Sequence, residues 1–348
     1  MNKSLFDNTE VAFKMKKNFH LYNAIFLFNI ITKKILVGIL TNLTITMLKF
    51  RLPIKWILKG TIYKHFCGGI HIAECKKIIS DMYKMNVCSI LDYSVEGLSN
   101  ENSFNNSCEK KIKIIDVVSE NDAVPFAVFK PTSIGRYELF KAVSDGKKLL
   151  KDEEVEWSNV VTRFHKICNH ALINKTKILI DAEEYEVQKA IDELALEMMK
   201  SYNKEYVIVY NTIQLYRWDR IDYLNKLFKD YSKSKFNFGF KLVRGAYMEK
   251  ERLLAKNGNY KSPICSSKNE TDLNFNKAID LMFKHIKKAD FFIATHNEFS
   301  NYKVIDLMKK NEIKNNSDKI WFGQLYGMSD NITFNLASEG YNVAKILP

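Results

Sequence analysis

The 348 residues are 46% hydrophobic, enough for one large domain or two ordinary ones, which excludes disorder for most of the chain. With 13 Gly and 5 Pro the sequence is neither collagenous nor of low complexity. The formal charge is 53 − 40 = +13, which admits nucleic acid, an anionic membrane surface or acidic ligands, yet only seven of the 53 cations are Arg, so a nucleic-acid reader built on Arg forks is the weaker reading, and the Lys spread along the whole chain reads as background composition rather than a binding patch.

The chain opens MNKSLFDNTEVAFKMKK, with Asp7 and Glu10 and no apolar cleavable core. That start argues against secretory and mitochondrial targeting and makes the cytoplasm the expected location. Residues 21–48 are the most apolar stretch, split by Lys33 and Lys34 into runs of 12 and 14 uncharged residues. Each run is short of the roughly 20 residues that span a bilayer, so they read as packed or interfacial helices, and peripheral contact at the inner face of the membrane is expected. The six cysteines form no Cys-x-x-Cys and no Cys/His pair at zinc spacing, so no metal site is expected and free thiols fit best.

From position 87 onward, apolar runs recur at 87–91, 125–130, 178–181, 207–211, 238–243, 291–295, 320–324 and 342–347. They are rich in Val, Ile and Phe and close on polar residues, as parallel strands buried on both faces do. Helix-like segments lie between them. The clearest is 184–200, where Val187, Ile191, Leu194 and Met198 share one face, while 131–177 is long enough for two or three helices. Eight strands over 347 − 87 + 1 = 261 residues, with no G-x-G-x-x-G, favour a (β/α)₈ barrel over a doubly wound sheet. The expected division is a helical arm over 1–86 and an α/β barrel over 87–348. The eighth strand ends at Pro348 with no helix after it, so a bare, apolar barrel flank is expected.

Barrel active sites form at the C-terminal ends of the strands, so the residues closing each run are candidates. These are Lys130, Asp181, Asn211, the stretch from Lys241 to Tyr247, Thr295 with His296, and Gln324. Each has a plainer reading. Asp181 precedes a helix and suits an N-cap, Lys130 could snorkel to solvent, and His296 could be a satisfied core histidine. Asn211 and Gln214 could serve a turn, and Glu183, Glu184 and Glu186 read as a solvated first helical turn.

Five motifs stand in order at these strand ends: LIDAEE (179–184), NTIQLY (211–216), FGFKLVRGAYMEKER (238–252), ATHNE (294–298) and FGQLYGMSDN (322–331). Together with FDNTEVAFK, FCGGI and LDYSVEG in the arm and around the first strand, they resemble the longer branch of the proline dehydrogenase family over Phe6 to Pro348. The resemblance implies a distorted (β/α)₈ barrel that binds FAD noncovalently and oxidises L-proline to 1-pyrroline-5-carboxylate, with a membrane quinone as electron acceptor. It implies that Lys130 pairs with the substrate carboxylate, Asp181 is the active-site acid and Tyr247 packs on the substrate ring. Lys241, in place of an Arg of bacterial relatives, would lie beside the isoalloxazine. Ala182, Asn211, Leu242 and Val243 would line the flavin, and Thr295 and His296 would hold its pyrophosphate side. Two departures stand out. Ile346 occupies the place of a family Tyr, and the family's last helix, with a Tyr and an Arg pair that clamp the substrate carboxylate, does not follow Pro348. The alternatives are a shortened or decayed relative that keeps only flavin binding, and a hydroxyproline dehydrogenase.

Overall fold

The eight apolar runs become eight parallel strands: β1 (Val87–Leu91), β2 (Phe126–Phe129), β3 (Lys177–Ile180), β4 (Val209–Gln214), β5 (Phe238–Val243), β6 (Ala289–Ala294), β7 (Ile320–Leu325) and β8 (Val343–Leu347). Each pairs with its neighbours in sequence, and β8 returns to β1 from Val87↔Val343 to Leu91↔Leu347, which closes the barrel. This computed structural model describes all residues except 1–4, 51, 55–62, 70–71 and 93–99, so the end of FCGGI and most of LDYSVEG lie outside the described residues.

Alternation along each strand divides the apolar residues into two cores. Phe126, Tyr210, Phe292 and Trp321 point into the barrel, and the Phe126 ring meets the other three edge-on at centroid distances of 5.6, 5.3 and 5.2 Å. This aromatic plug fills the lower barrel. The outward positions of the strands join the helices in the larger core. The helix Tyr185–Tyr202 shows how the sequence achieves this, because Val187, Ile191, Leu194 and Met198 are all buried along one face. Each such side chain contributes roughly 1.5–3 kcal/mol. Residues 131–177 hold a 3₁₀ turn and the helices Tyr137–Ser144 and Lys151–Ile173.

β4 runs further than its apolar stretch suggested. Asn203 Oδ1 accepts the N–H groups of Ile208 and Val209 at 2.9 and 2.8 Å, which ends the preceding loop, and pairing with β5 continues to Gln214↔Val243. The polar run Asn211, Thr212 and Gln214 hid that extension.

The expected bare flank is not found. Val343, Lys345 and Leu347, the outward residues of β8, are buried. The helix Ile72–Tyr83 supplies Cys75, Ile79 and Met82 to the same core as Val87, Val343 and Leu347, and the helix Asp330–Ser338 packs beside it. Phe6 is also buried, its ring 4.3 Å from that of Tyr302. Further up the arm, the helices Asn18–Ile31 and Lys34–Lys49 meet at a sharp bend. Among the described residues no single helix is long and apolar enough to cross a membrane.

Candidate active site

At the C-terminal ends of the strands lies a cavity of about 620 Å³, within the roughly 300–1,000 Å³ usual for small-molecule sites. Strand alternation decides what enters it. Lys130, Asp181, Thr212, Gln214, Lys241 and Val243 stand two residues apart, or multiples of two, from the inward plug and floor residues of their own strands, and all line the cavity. Ala182, Tyr247, Thr295, His296 and Ile346 also line it.

Asn211 and Leu242 do not. Both sit one residue out of phase, so their side chains face the helix layer. Leu242 joins the outer core, and Asn211 donates to Asp192 Oδ1 at 2.9 Å. At those two positions, expected to line the flavin, the side chains that line the cavity are instead those of the inward neighbours, Thr212 with Gln214 and Lys241 with Val243.

The floor is charged. Lys241 Nζ donates to Asp181 Oδ1 at 2.6 Å, with both side chains largely buried, and the Thr212 hydroxyl stands 3.5 Å from the same oxygen. Asp181 is not a helix cap, since the following helix begins at Tyr185 with Glu184 at its N-cap. Gln214 donates to the Glu183 carbonyl at 2.7 Å, while its own Oε1 is buried and has no partner. An orphaned buried acceptor on a cavity-lining residue calls for a hydrogen-bond donor.

The opposite wall is organised by Arg244, which the motif contained but which received no role from the sequence. Its guanidinium donates to Asp272 at 2.8 Å, to the Thr295 hydroxyl and to Ser300 at 3.2 Å, and it stacks on Phe275 at 4.4 Å. The Thr295 hydroxyl accepts from both Arg244 and the Asn297 N–H, which leaves its own proton for a ligand. His296 Nδ1 contacts the Ser329 hydroxyl at 2.9 Å. Burial, followed by Lys345 and Arg244, pushes its imidazolium down to about 4, so the ring is neutral near pH 7. The positive charge on this wall comes from Arg244 and Lys268. Asp92, which closes β1, lines the cavity too, and the polar-closure signal applied to the first run identifies it.

Glu183 and Glu184 are not a solvated helical turn. Glu183 is buried and accepts the Thr132 N–H at 2.8 Å and the Thr132 hydroxyl at 2.5 Å, joining the loops after β2 and β3. Burial raises its carboxyl to about 7 against those two bonds. The folded state therefore binds a proton that the unfolded state releases above its ordinary pKa near 4.5, and stability falls as pH rises from there to about 7. Glu183→Gln should remove that slope, so that its stability relative to the parent improves by up to about 3 kcal/mol between pH 4 and pH 8. Urea midpoints across that range measure it, and parallel pH profiles for the two proteins would contradict the burial argument.

A closed parallel barrel with an ionic floor and a second polar wall at its strand ends defines a (β/α)₈-barrel enzyme. Residues 75–348 match the family profile described as proline dehydrogenase. The chain is 31% identical over 283 residues to the carbapenem antibiotics biosynthesis protein CarD of Pectobacterium carotovorum subsp. carotovorum, covering 81% of this chain and 73% of that protein. It is 29% identical over 335 residues to mitochondrial proline dehydrogenase 2 of Arabidopsis thaliana, covering 84% and 70%. The proline utilization A structure from Bdellovibrio bacteriovorus, inactivated by N-propargylglycine, shares the fold with a TM-score of 0.74 at 20% identity, covering 85% of this chain and 31% of that one. The chain thus spans about a third of that longer protein. It belongs to the proline dehydrogenase family.

Proposed function

We propose that this chain oxidises L-proline to 1-pyrroline-5-carboxylate with noncovalently bound FAD and passes the electrons to a quinone. We further propose that 87–348 forms the catalytic barrel and 1–86 an arm that braces it. The observation that carries the reading is the buried Lys241–Asp181 pair on the floor of the strand-end cavity, beside Lys130 and the unpartnered Gln214 Oε1.

The residues suit a flavin dinucleotide. Its pyrimidine edge carries an N–H that the Gln214 oxygen would accept, and its diphosphate suits the wall of Arg244, Lys268 and the Thr295 hydroxyl. FAD, when bound, supplies the acceptor for the hydride that leaves the proline ring carbon beside nitrogen. The chain's own residues bind and orient. Lys130, inward on the end of β2, takes the substrate carboxylate, and Tyr247 covers the ring. Asp181, fixed by Lys241, presents a carboxylate to the substrate amine, and the Lys241 ammonium places positive charge where negative charge grows. Gly323 lets the Phe292 ring pack under the cavity, because a Cβ there would stand 2.2 Å from that ring.

Anaerobic addition of L-proline to the FAD-loaded chain should bleach the flavin and form 1-pyrroline-5-carboxylate in the same step, and a soluble quinone should restore the colour and let further product accumulate. A chain that is colourless and gains no thermal stability from FAD would overturn the cofactor assignment. A hydroxyproline dehydrogenase of Xenopus laevis is 27% identical over 329 residues, so hydroxyproline belongs in the same titration. Faster bleaching by hydroxyproline than by proline would reassign the substrate.

A further inference from the structure

The bent helix pair of the arm is apolar on nearly every side and faces outward. Ile35 is 83% exposed, Tyr22 72% and Phe19 69%, while Leu27 is the buried residue of the first helix. No Asp or Glu occurs in residues 11–73, so all 40 acidic residues of the sequence lie outside that stretch. Exposed Lys14, Lys17, Lys33 and Lys49 flank the two helices. An apolar stretch flanked in the chain by cations and free of acids from 11 to 73 fits an anionic bilayer, and the same cations would repel a second copy of this face.

We propose that the helices Asn18–Ile31 and Lys34–Lys49 lie flat in the headgroup region of an anionic membrane and hold the barrel mouth toward it. Their 14 and 16 residues make rods of about 21 and 24 Å, each shorter than the roughly 30 Å hydrocarbon layer. Tip-first insertion would carry exposed Lys33, at the bend, into hydrocarbon, whereas a flat pose leaves it among headgroup phosphates. The pair is tied to the face of the barrel that carries the site. Phe28 meets the His65 and Phe66 rings at 5.8 and 6.0 Å, and Gly327, just beyond β7, packs so closely that a Cβ there would stand 2.2 Å from the His65 carbonyl oxygen. Leu21, Ala24 and Phe28 share a small cavity with Ser329, the residue that holds His296. Docking thus sets the flavin cavity beside the lipid. In its purpose this rests on the reading of a quinone acceptor, so binding is measured without turnover.

The FAD-loaded chain should float with vesicles of phosphatidylcholine plus phosphatidylglycerol, and far less with phosphatidylcholine alone. The double variant Lys17→Glu/Lys33→Glu should weaken anionic binding by about thirtyfold or more. Phe26→Asn/Ile39→Asn should weaken it for both lipids, with FAD content and proline-to-dye turnover unchanged in all variants. Thr32→Trp, at the bend, should be quenched by bromine near the headgroups rather than at the chain ends. Equal flotation with both vesicles, or unaltered binding by the variants, would overturn the proposal. Quenching chiefly at the chain ends would overturn the flat pose. A dimer dissolved by Phe26→Asn/Ile39→Asn without vesicle binding would give the face to a second copy instead. Vesicle binding with no reduction of a lipid-borne quinone would leave the docking intact and remove only the acceptor reading.

Discussion

Asp181→Ala should give a yellow, folded protein whose proline-dependent bleaching is slowed by about a hundredfold or more. The carboxylate is the partner of Lys241 at 2.6 Å and faces the cavity beside Thr212, so its removal strips the floor of its negative group and frees the ammonium. Asp181→Asn keeps the shape and removes the charge. It should lose nearly as much rate as Asp181→Ala while binding FAD as the parent does. Thr295→Val should behave in the opposite way. Its hydroxyl bridges Arg244 and the loop before the helix Glu298–Lys310, so FAD affinity should fall first, and saturating FAD should restore most of the bleaching rate. Flavin content and stopped-flow reduction, measured on the same preparations, separate the two. Equal losses of occupancy and rate in both variants would refute the division between a substrate floor and a cofactor wall.

Lys345→Met should be the most destabilising single change outside the aromatic plug, by about 3–5 kcal/mol. Lys345 is 1% exposed on the outer face of β8 and pairs with Asp330 at 2.9 Å, and it also donates to the Leu325 carbonyl at 3.3 Å and to that of Met328. Without it, the largely buried Asp330 keeps Lys16, at 3.5 Å, as its ion partner among the described residues. Burial raises the Asp330 carboxyl, but Lys345 and then Lys16 outweigh it and hold the group below the ordinary range. The Asp330 carboxylate's contribution is thus present above its unfolded pKa and is lost as pH falls through the lower folded value, whereas burial holds the Lys345 ammonium below its ordinary range despite Asp330. The double variant Lys345→Met/Asp330→Leu should recover much of the loss, because an apolar pair leaves no buried charge stranded, and Lys16, partly exposed, can turn to water. Guanidinium midpoints for the parent, the two single variants and the double variant test this. If the double variant is the least stable of the four, the uncompensated-charge account fails.

The strands were legible in the sequence because a strand covered on both faces must be apolar throughout, and β1 and β5 begin and end where their apolar runs do. The same signal misplaced the end of β4, where inward Thr212 and Gln214 are polar because they serve the cavity rather than the core. Composition along the strands also located the ionic floor, since Lys130, Asp181 and Lys241 each interrupt or close an apolar run. Phase was not legible at every strand. A shift of one residue reverses the face of a side chain, and Asn211 and Leu242 lie on the wrong side by that single step. Burial of Glu183 against Thr132 joins residues 51 apart in sequence, and the Lys345–Asp330–Lys16 cluster joins β8 to the first turns of the arm. Such contacts depend on barrel closure and on where the arm lands, and local patterning carries neither. The sequence by itself determined a barrel, its ionic floor and, within the arm, the apolar stretch over 21–48. The tertiary structure decided which neighbour of each strand-end pair faces the cavity and that the arm covers β8 and β1, because both follow from register and packing between segments far apart in the chain.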